Sequence, residues 1–100
     1  MGRRAITPER IVMRDGLRCH YCSEFMNVYH MPNKLQQRDP RRFTFEHIVP
    51  RSIGGSYGLY NIVGACSGCN SKYGDQHYKC FCAFCQTARV RFELREVLAA

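Results

Sequence analysis

The strongest fold signal is the stretch at residues 43–70, FTFEHIVPRSIGGSYGLYNIVGACSGCN. Its aromatic and β-branched start predicts a strand at residues 43–49, which ends before Pro50 because proline cannot donate to a sheet. The glycines of residues 52–59 predict a flexible loop, and residues 62–65 predict a second short strand. We therefore expect two strands joined by a loop.

The flanking segments predict turns and helices. Residues 66–69 predict a tight turn, with a helix expected from Asn70 onwards. A capping threonine followed by proline and glutamate predicts a helix at residues 8–15, and residues 82–98 predict another. The apolar stripe of that last helix consists of Phe84, Ala88, Phe92, Leu94, Val97 and Leu98. Residues 23–42 are expected to form an exposed loop or connecting element, which gives an α+β plan.

Length and composition restrict the class of protein. A chain of 100 residues with 45% hydrophobic content predicts one folded domain, residues 1–100. The net charge of +7, carried mainly by arginines, indicates a polyanionic partner such as nucleic acid. No apolar run is long enough for a membrane span or a signal peptide, so we expect an intracellular, cytoplasmic protein with no membrane partner.

Two cysteine pairs share the same two-residue gap. Cys19 and Cys22 form the first hook, and Cys66 and Cys69 form the second hook. Two such pairs in an intracellular chain predict a closed, tetrahedral structural Zn²⁺ site, which adds stability that so small a core lacks. The alternative is that these are buried thiols without a metal.

Three further cysteines follow the second hook. Cys80, Cys82 and Cys85 lie just after His77, and these four donors are candidates for a second zinc site. The alternative is that the cysteines are small apolar residues that pack at a helix start. The sequence does not decide between the two, and it assigns no role to His20 or His30.

The residues between and after the hooks form a recognisable motif. In order they are Glu46, His47, Ile48, Pro50, Gly54, Gly55, Asn61 and Asn70. This arrangement resembles the HNH (ββα-metal) endonucleases, in its small, free-standing phage or bacterial form with a four-cysteine zinc site. The resemblance covers roughly residues 17–75, and it implies a ββα-metal core with flanking N- and C-terminal helices.

The resemblance also implies a role for each motif residue in a metal-dependent DNA endonuclease. His47 is the general base and Asn61 orients it, while Glu46 and Asn70 hold a catalytic Mg²⁺ or Mn²⁺. The family often has Asp in place of Glu46 and His in place of Asn70. The products it implies are a 3′-hydroxyl and a 5′-phosphate.

The chemistry of these residues agrees with those roles. Imidazole changes charge near working pH, which suits His47 as a base, and hard cations prefer the oxygen donors of Glu46 and Asn70. Neighbouring side chains on a regular strand point to opposite faces, however. If Glu46 and His47 serve one site, the strand is expected to end or bulge there.

Several basic residues are candidates for DNA contacts. Arg51 and Lys72 adjoin the motif and are expected to touch a phosphate near the scissile bond. Other cations available to flanking backbone are Lys34, Arg41, Arg42, Arg89, Arg91 and Arg95. For any one of these, a solvated surface charge is the simpler interpretation.

Other functions remain open. The main alternative is a non-catalytic zinc module that binds DNA or a protein, and another is an HNH toxin domain aimed at host chromosomes. The family analogy favours a bacteriophage or mobile-element product, whose partners are DNA and other phage or host DNA-processing proteins.

Overall fold

The structure is a computed structural model that describes residues 6–99. Its elements in chain order are α1 (Pro8–Asp15), α2 (Lys34–Gln37), β1 (Phe43–His47), β2 (Ile62–Cys66), α3 (Ser67–Tyr73) and α4 (Ala83–Ala99). The loop between the strands contains two short 3-10 turns, Arg51–Ile53 and Leu59–Asn61. The predicted α+β class is confirmed. Residues 1–5, which bear on the expectation about a signal peptide, lie outside the described residues.

Helix α1 follows the prediction at both ends. The Thr7 hydroxyl accepts a hydrogen bond from the Arg10 N–H at 3.3 Å, and Pro8 starts the first turn. Gly16 ends the helix with φ of 85°, a conformation that side chains disfavour. The Arg14 guanidinium then donates to the Ile62 carbonyl at 2.7 Å, which fastens α1 to β2.

The two strands pair antiparallel, with Phe43 opposite Cys66 and His47 opposite Ile62. Strand β1 ends at His47, two residues before the predicted end. The reason is local. The Ile48 N–H still bonds to the Asn61 carbonyl opposite it, but the Asn61 N–H donates to the Gly58 carbonyl within its own turn, and the Val49 N–H donates to the Asn61 side chain. The backbone ladder therefore does not continue beyond this point.

Helix α3 begins at Ser67, three residues before the predicted start. The Cys66 sulfur acts as its N-cap and accepts a hydrogen bond from the Cys69 N–H at 3.4 Å. The predicted tight turn at residues 66–69 is thus the first turn of the helix. The second hook therefore lies where β2 meets α3.

The sheet packs against two apolar clusters. A two-stranded sheet is marginal alone, so it needs such packing against helices. One cluster joins α1 to the sheet and contains Ile11, Cys19, Met26, Phe43, Ile62, Ala65 and Cys66. The other joins α4 to the sheet and contains Ile48, Val63, Cys85 and Ala88.

Helix α4 confirms the predicted element but not its full apolar stripe. Ala88 is buried against the sheet, whereas the side chains near the end are largely exposed, with Leu94 at 57% and Leu98 at 85%. The first half of α4 packs on the core, and the last turns extend beyond it. Within residues 6–99, no helix is both long enough and apolar enough to cross a bilayer.

Candidate active site and metal centres

The two hooks converge as the sequence predicts. The four sulfurs of Cys19, Cys22, Cys66 and Cys69 all lie within 4.8 Å of one another. The Cys22 and Cys66 sulfurs are 3.9 Å apart, close to the sulfur separation of about 3.8 Å that a tetrahedral zinc site with 2.3 Å bonds requires. The Cys66 N–H donates to the Cys19 sulfur at 3.3 Å. The donor set and its spacing fit Zn²⁺.

The close packing of these four thiols favours a bound cation. Burial raises the pKa of Cys19, but hydrogen bonds from backbone N–H groups outweigh it and bring the value to about 7. Burial and the neighbouring thiols raise the pKa of Cys69. Thiolates packed this closely repel one another, so a divalent cation is the natural way to hold all four in their binding form.

Three predicted site residues line one pocket of about 200 Å³. They are Glu46, His47 and Asn70, and the other charged residues of its lining are Arg51, Asp75 and Lys79. Glu46 and His47 are consecutive on a regularly paired strand without a bulge, so of the two expected alternatives the strand end is the one observed. The strand ends at His47, as expected, and this leaves both side chains at the border of the same pocket.

Asn70 lies on α3 with its amide nitrogen turned towards β1. The nitrogen donates to the Thr44 hydroxyl at 2.9 Å and to the Phe45 carbonyl at 3.3 Å. Within residues 6–99, its side-chain oxygen accepts no hydrogen bond. That oxygen is therefore the atom left available for a hard cation.

Asn61 is buried and holds the loop that follows His47. Its oxygen accepts from the Val49 N–H at 2.8 Å, and its amide donates to the Val49 carbonyl at 3.1 Å and the Ser56 carbonyl at 2.9 Å. These bonds go to backbone and do not reach the imidazole. Asn61 thus fixes the conformation of the loop after His47.

His47 has one ring nitrogen without a partner. Its Nε2 is buried and makes no hydrogen bond within the described residues. Burial and the positive charges of Arg51 and Lys79 lower the pKa of His47. The ring also meets Tyr57 edge to face, with centroids 4.9 Å apart. These surroundings favour the neutral imidazole and hold the ring in place, and they leave Nε2 without a hydrogen-bond partner among the described residues.

Glu46 and Lys79 form a buried ion pair in the lining of the pocket, which the sequence does not predict. The Lys79 ammonium lies 3.3 Å from a Glu46 carboxylate oxygen, with side-chain exposures of 2% and 6%. Lys79 also donates to the His47 carbonyl at 2.8 Å, and Tyr21 donates to the other Glu46 oxygen at 3.4 Å. Burial raises the pKa of Glu46, while Lys79 acts in the opposite direction.

We expect Lys79→Met to lower the free energy of unfolding by about 3 kcal/mol, because it leaves the Glu46 carboxylate buried without its cation. The double variant Glu46→Gln with Lys79→Met should recover most of that loss, since no uncompensated charge remains. Urea unfolding of the zinc-loaded proteins measures both. A single variant as stable as the wild type, or a double variant less stable than the single one, would contradict this account.

The remaining cysteines gather around a histidine that the sequence did not select. Cys80, Cys82 and Cys85 form a cluster with His20, and the four donor atoms lie within 4.8 Å of one another. His77 is outside this cluster, and its ring packs edge to face on Tyr78. The candidate set that includes His77 is therefore wrong in that one member.

The basic residues divide into exposed and structural groups. Arg51 lines the pocket, whereas Lys72 lies outside its lining with its ammonium 5.6 Å from the Tyr73 ring centroid. Arg89 is 5% exposed and donates to the Cys80 carbonyl at 2.6 Å, so it holds the fold and is unavailable to DNA. Arg91 stacks over the Tyr60 ring at 4.6 Å.

Comparison with known proteins supports the motif assignment. The family model described as HNH endonuclease matches residues 35–81, a little under half of the chain. The matched segment spans both strands, the second hook, α3 and Lys79. No curated protein and no solved structure matches the chain. The resemblance to HNH endonucleases is thus confirmed by the family model.

Proposed function

We infer that this chain, whose residues 35–81 match the HNH endonuclease family, is a metal-dependent DNA endonuclease stabilised by structural zinc. The observation that supports the activity most directly is the shared pocket, which brings the His47 imidazole together with the oxygen donors of Glu46 and Asn70, the Asp75 carboxylate, and the cations Arg51 and Lys79. A nuclease domain of this family implies a nucleic-acid substrate, and the net charge of +7 suits one.

His47 acts as the general base in this proposal. Its imidazole takes a proton from water while the water oxygen bonds to phosphorus, and the bond from phosphorus to O3′ breaks. The departing O3′ takes a proton from solvent. The products are a 3′-hydroxyl and a 5′-phosphate, as the family resemblance implies.

Glu46 and Asn70 are the residues that would hold a divalent ion, since both offer oxygen donors to the pocket. A bound Mg²⁺ or Mn²⁺ would offset the charge that develops on the phosphate and the leaving oxygen. The Lys79 ammonium competes for the same carboxylate, so Glu46 must share or exchange its partner when an ion binds.

Arg51 and Asn61 support the same reaction. Arg51 lies on the pocket wall, where a guanidinium suits a phosphate oxygen, and Asn61 keeps the loop after His47 in one conformation. Phosphate contacts of this kind give affinity that falls steeply with salt and little preference for sequence.

The test is a plasmid-nicking assay on zinc-loaded protein with and without added Mg²⁺ or Mn²⁺. We expect supercoiled DNA to become nicked only when the divalent ion is present. A Glu46→Gln variant that still carries its zinc should need a higher Mg²⁺ concentration for half-maximal cleavage, because a neutral amide binds the ion more weakly. Zinc-loaded wild type that leaves DNA intact in both ions would refute the activity.

The alternative is a zinc module that binds DNA without cutting it. The buried Glu46–Lys79 pair is the specific observation in its favour, since it satisfies the carboxylate without an ion. Such a module would retard DNA in a gel at low salt, yet never nick it in the same buffer with Mg²⁺.

A further inference from the structure

The cluster of His20, Cys80, Cys82 and Cys85 has the features of a built metal site. The His20 Nε2 lies 3.3 Å from the Cys85 sulfur and 3.6 Å from the Cys82 sulfur. Cys85 is fully buried, His20 and Cys80 are partly buried and Cys82 is exposed, so the cluster lies at the edge of the core. Three sulfurs and one imidazole nitrogen are a known donor set for structural zinc.

The backbone around this cluster repeats a feature of the four-cysteine site. The Cys82 N–H donates to the Cys80 sulfur at 3.4 Å, as the Cys69 N–H does to the Cys66 sulfur at the same distance. Such bonds stabilise thiolates, since the acceptor is charged when a metal is bound. The backbone N–H of His20 donates to the Gly64 carbonyl at 3.0 Å, which fixes this residue against β2.

The position of the cluster gives it a structural task. Residues 74–82, between α3 and α4, contain no helix or strand, yet they carry Lys79 into the candidate active site. An irregular segment needs other anchors to keep one conformation. Cys80 and Cys82 lie within this segment. His20 is distant in sequence and lies between the two cysteines of the first hook.

We propose that His20, Cys80, Cys82 and Cys85 bind a second zinc ion, which ties residues 74–82 and the start of α4 to the first hook. Consecutive residues then serve different ions, Cys19 the first and His20 the second. A metal clip between residues so far apart in sequence strongly restricts the unfolded chain. The second ion would thus hold Lys79 beside Glu46.

The test counts metal in protein purified with a reductant and without chelator. Wild type should carry two zinc ions per chain, and His20→Ala should carry one. His77→Ala is the matched control, because this histidine is near the cysteines in sequence but outside the cluster, and it should retain two. One zinc in wild type, or loss of zinc in His77→Ala but not in His20→Ala, would overturn the proposal.

Hydrogen exchange tests the structural task without relying on activity. In Cys82→Ser, whose altered side chain is exposed, amides of residues 77–82 should exchange about tenfold faster or more, while those of β1 and β2 stay protected. Unchanged exchange at residues 77–82, in a variant that has lost one zinc, would overturn the anchoring role. The wild-type metal count decides the site itself if a variant fails to fold.

Discussion

Cys66→Ser should abolish the folded state at room temperature. Cys66 is a buried ligand at the junction of β2 and α3, and its sulfur also caps α3. Structural zinc contributes on the order of 10 kcal/mol to the folding of small domains, comparable to the whole stability expected for a chain of this size. Far-UV circular dichroism and metal content should therefore show loss of helix together with loss of zinc.

Ser67→Ala is the matched control for this variant. It changes the adjacent residue but keeps every sulfur and leaves the backbone bond from Ser67 N–H to the Arg42 carbonyl intact. It should retain its zinc, and its free energy of unfolding should lie within about 0.5 kcal/mol of the wild-type value. A Cys66→Ser protein that keeps a cooperative unfolding transition at the wild-type midpoint would show that the four-cysteine site does not hold the fold together.

The parts of the fold that the sequence predicts best are those with strong local chemistry. The capping threonine and proline place α1 at Pro8–Asp15, which is the predicted range. The paired cysteine spacing places the four-sulfur cluster, because each hook constrains its own geometry and two hooks leave few alternatives. The strands are predicted to within two residues of their ends.

The second cluster shows what local reasoning cannot supply. His77 is near the cysteines in sequence, whereas His20 reaches them only because α4 packs on the sheet beside the first hook. No spacing rule encodes that packing. Sequence proximity therefore selects the wrong histidine while identifying all three cysteines.

Lys79 was missed for a related reason. It lies in an irregular segment, where neither helical nor strand periodicity reports burial, and a lysine outside a motif is ordinarily a surface charge. Only a buried carboxylate nearby makes its burial favourable. The available signal was Glu46 itself. The strand pattern places this carboxylate beside the core, where it needs a cationic partner.

His47→Ala should reduce the single-turnover nicking rate by about 10²- to 10⁴-fold, the usual contribution of a general base. The fold should survive, because Lys79 bonds to the His47 backbone carbonyl, which alanine retains, and the pairing of β1 with β2 is unaffected. Zinc content should stay close to wild type, since His47 belongs to neither cysteine cluster. DNA affinity should also stay close to wild type.

His30→Ala is the control for this last variant, because the His30 side chain is 68% exposed and forms a surface ion pair with Glu9. It should cleave at the wild-type rate. Asn61→Ala would be a poor substitute for the His47 variant. It would remove three side-chain hydrogen bonds to the backbone, so it would disturb the loop and lower the stability in addition to any effect on His47. A His47→Ala protein that binds zinc and DNA normally and still nicks within threefold of wild type would mean that another group activates the water.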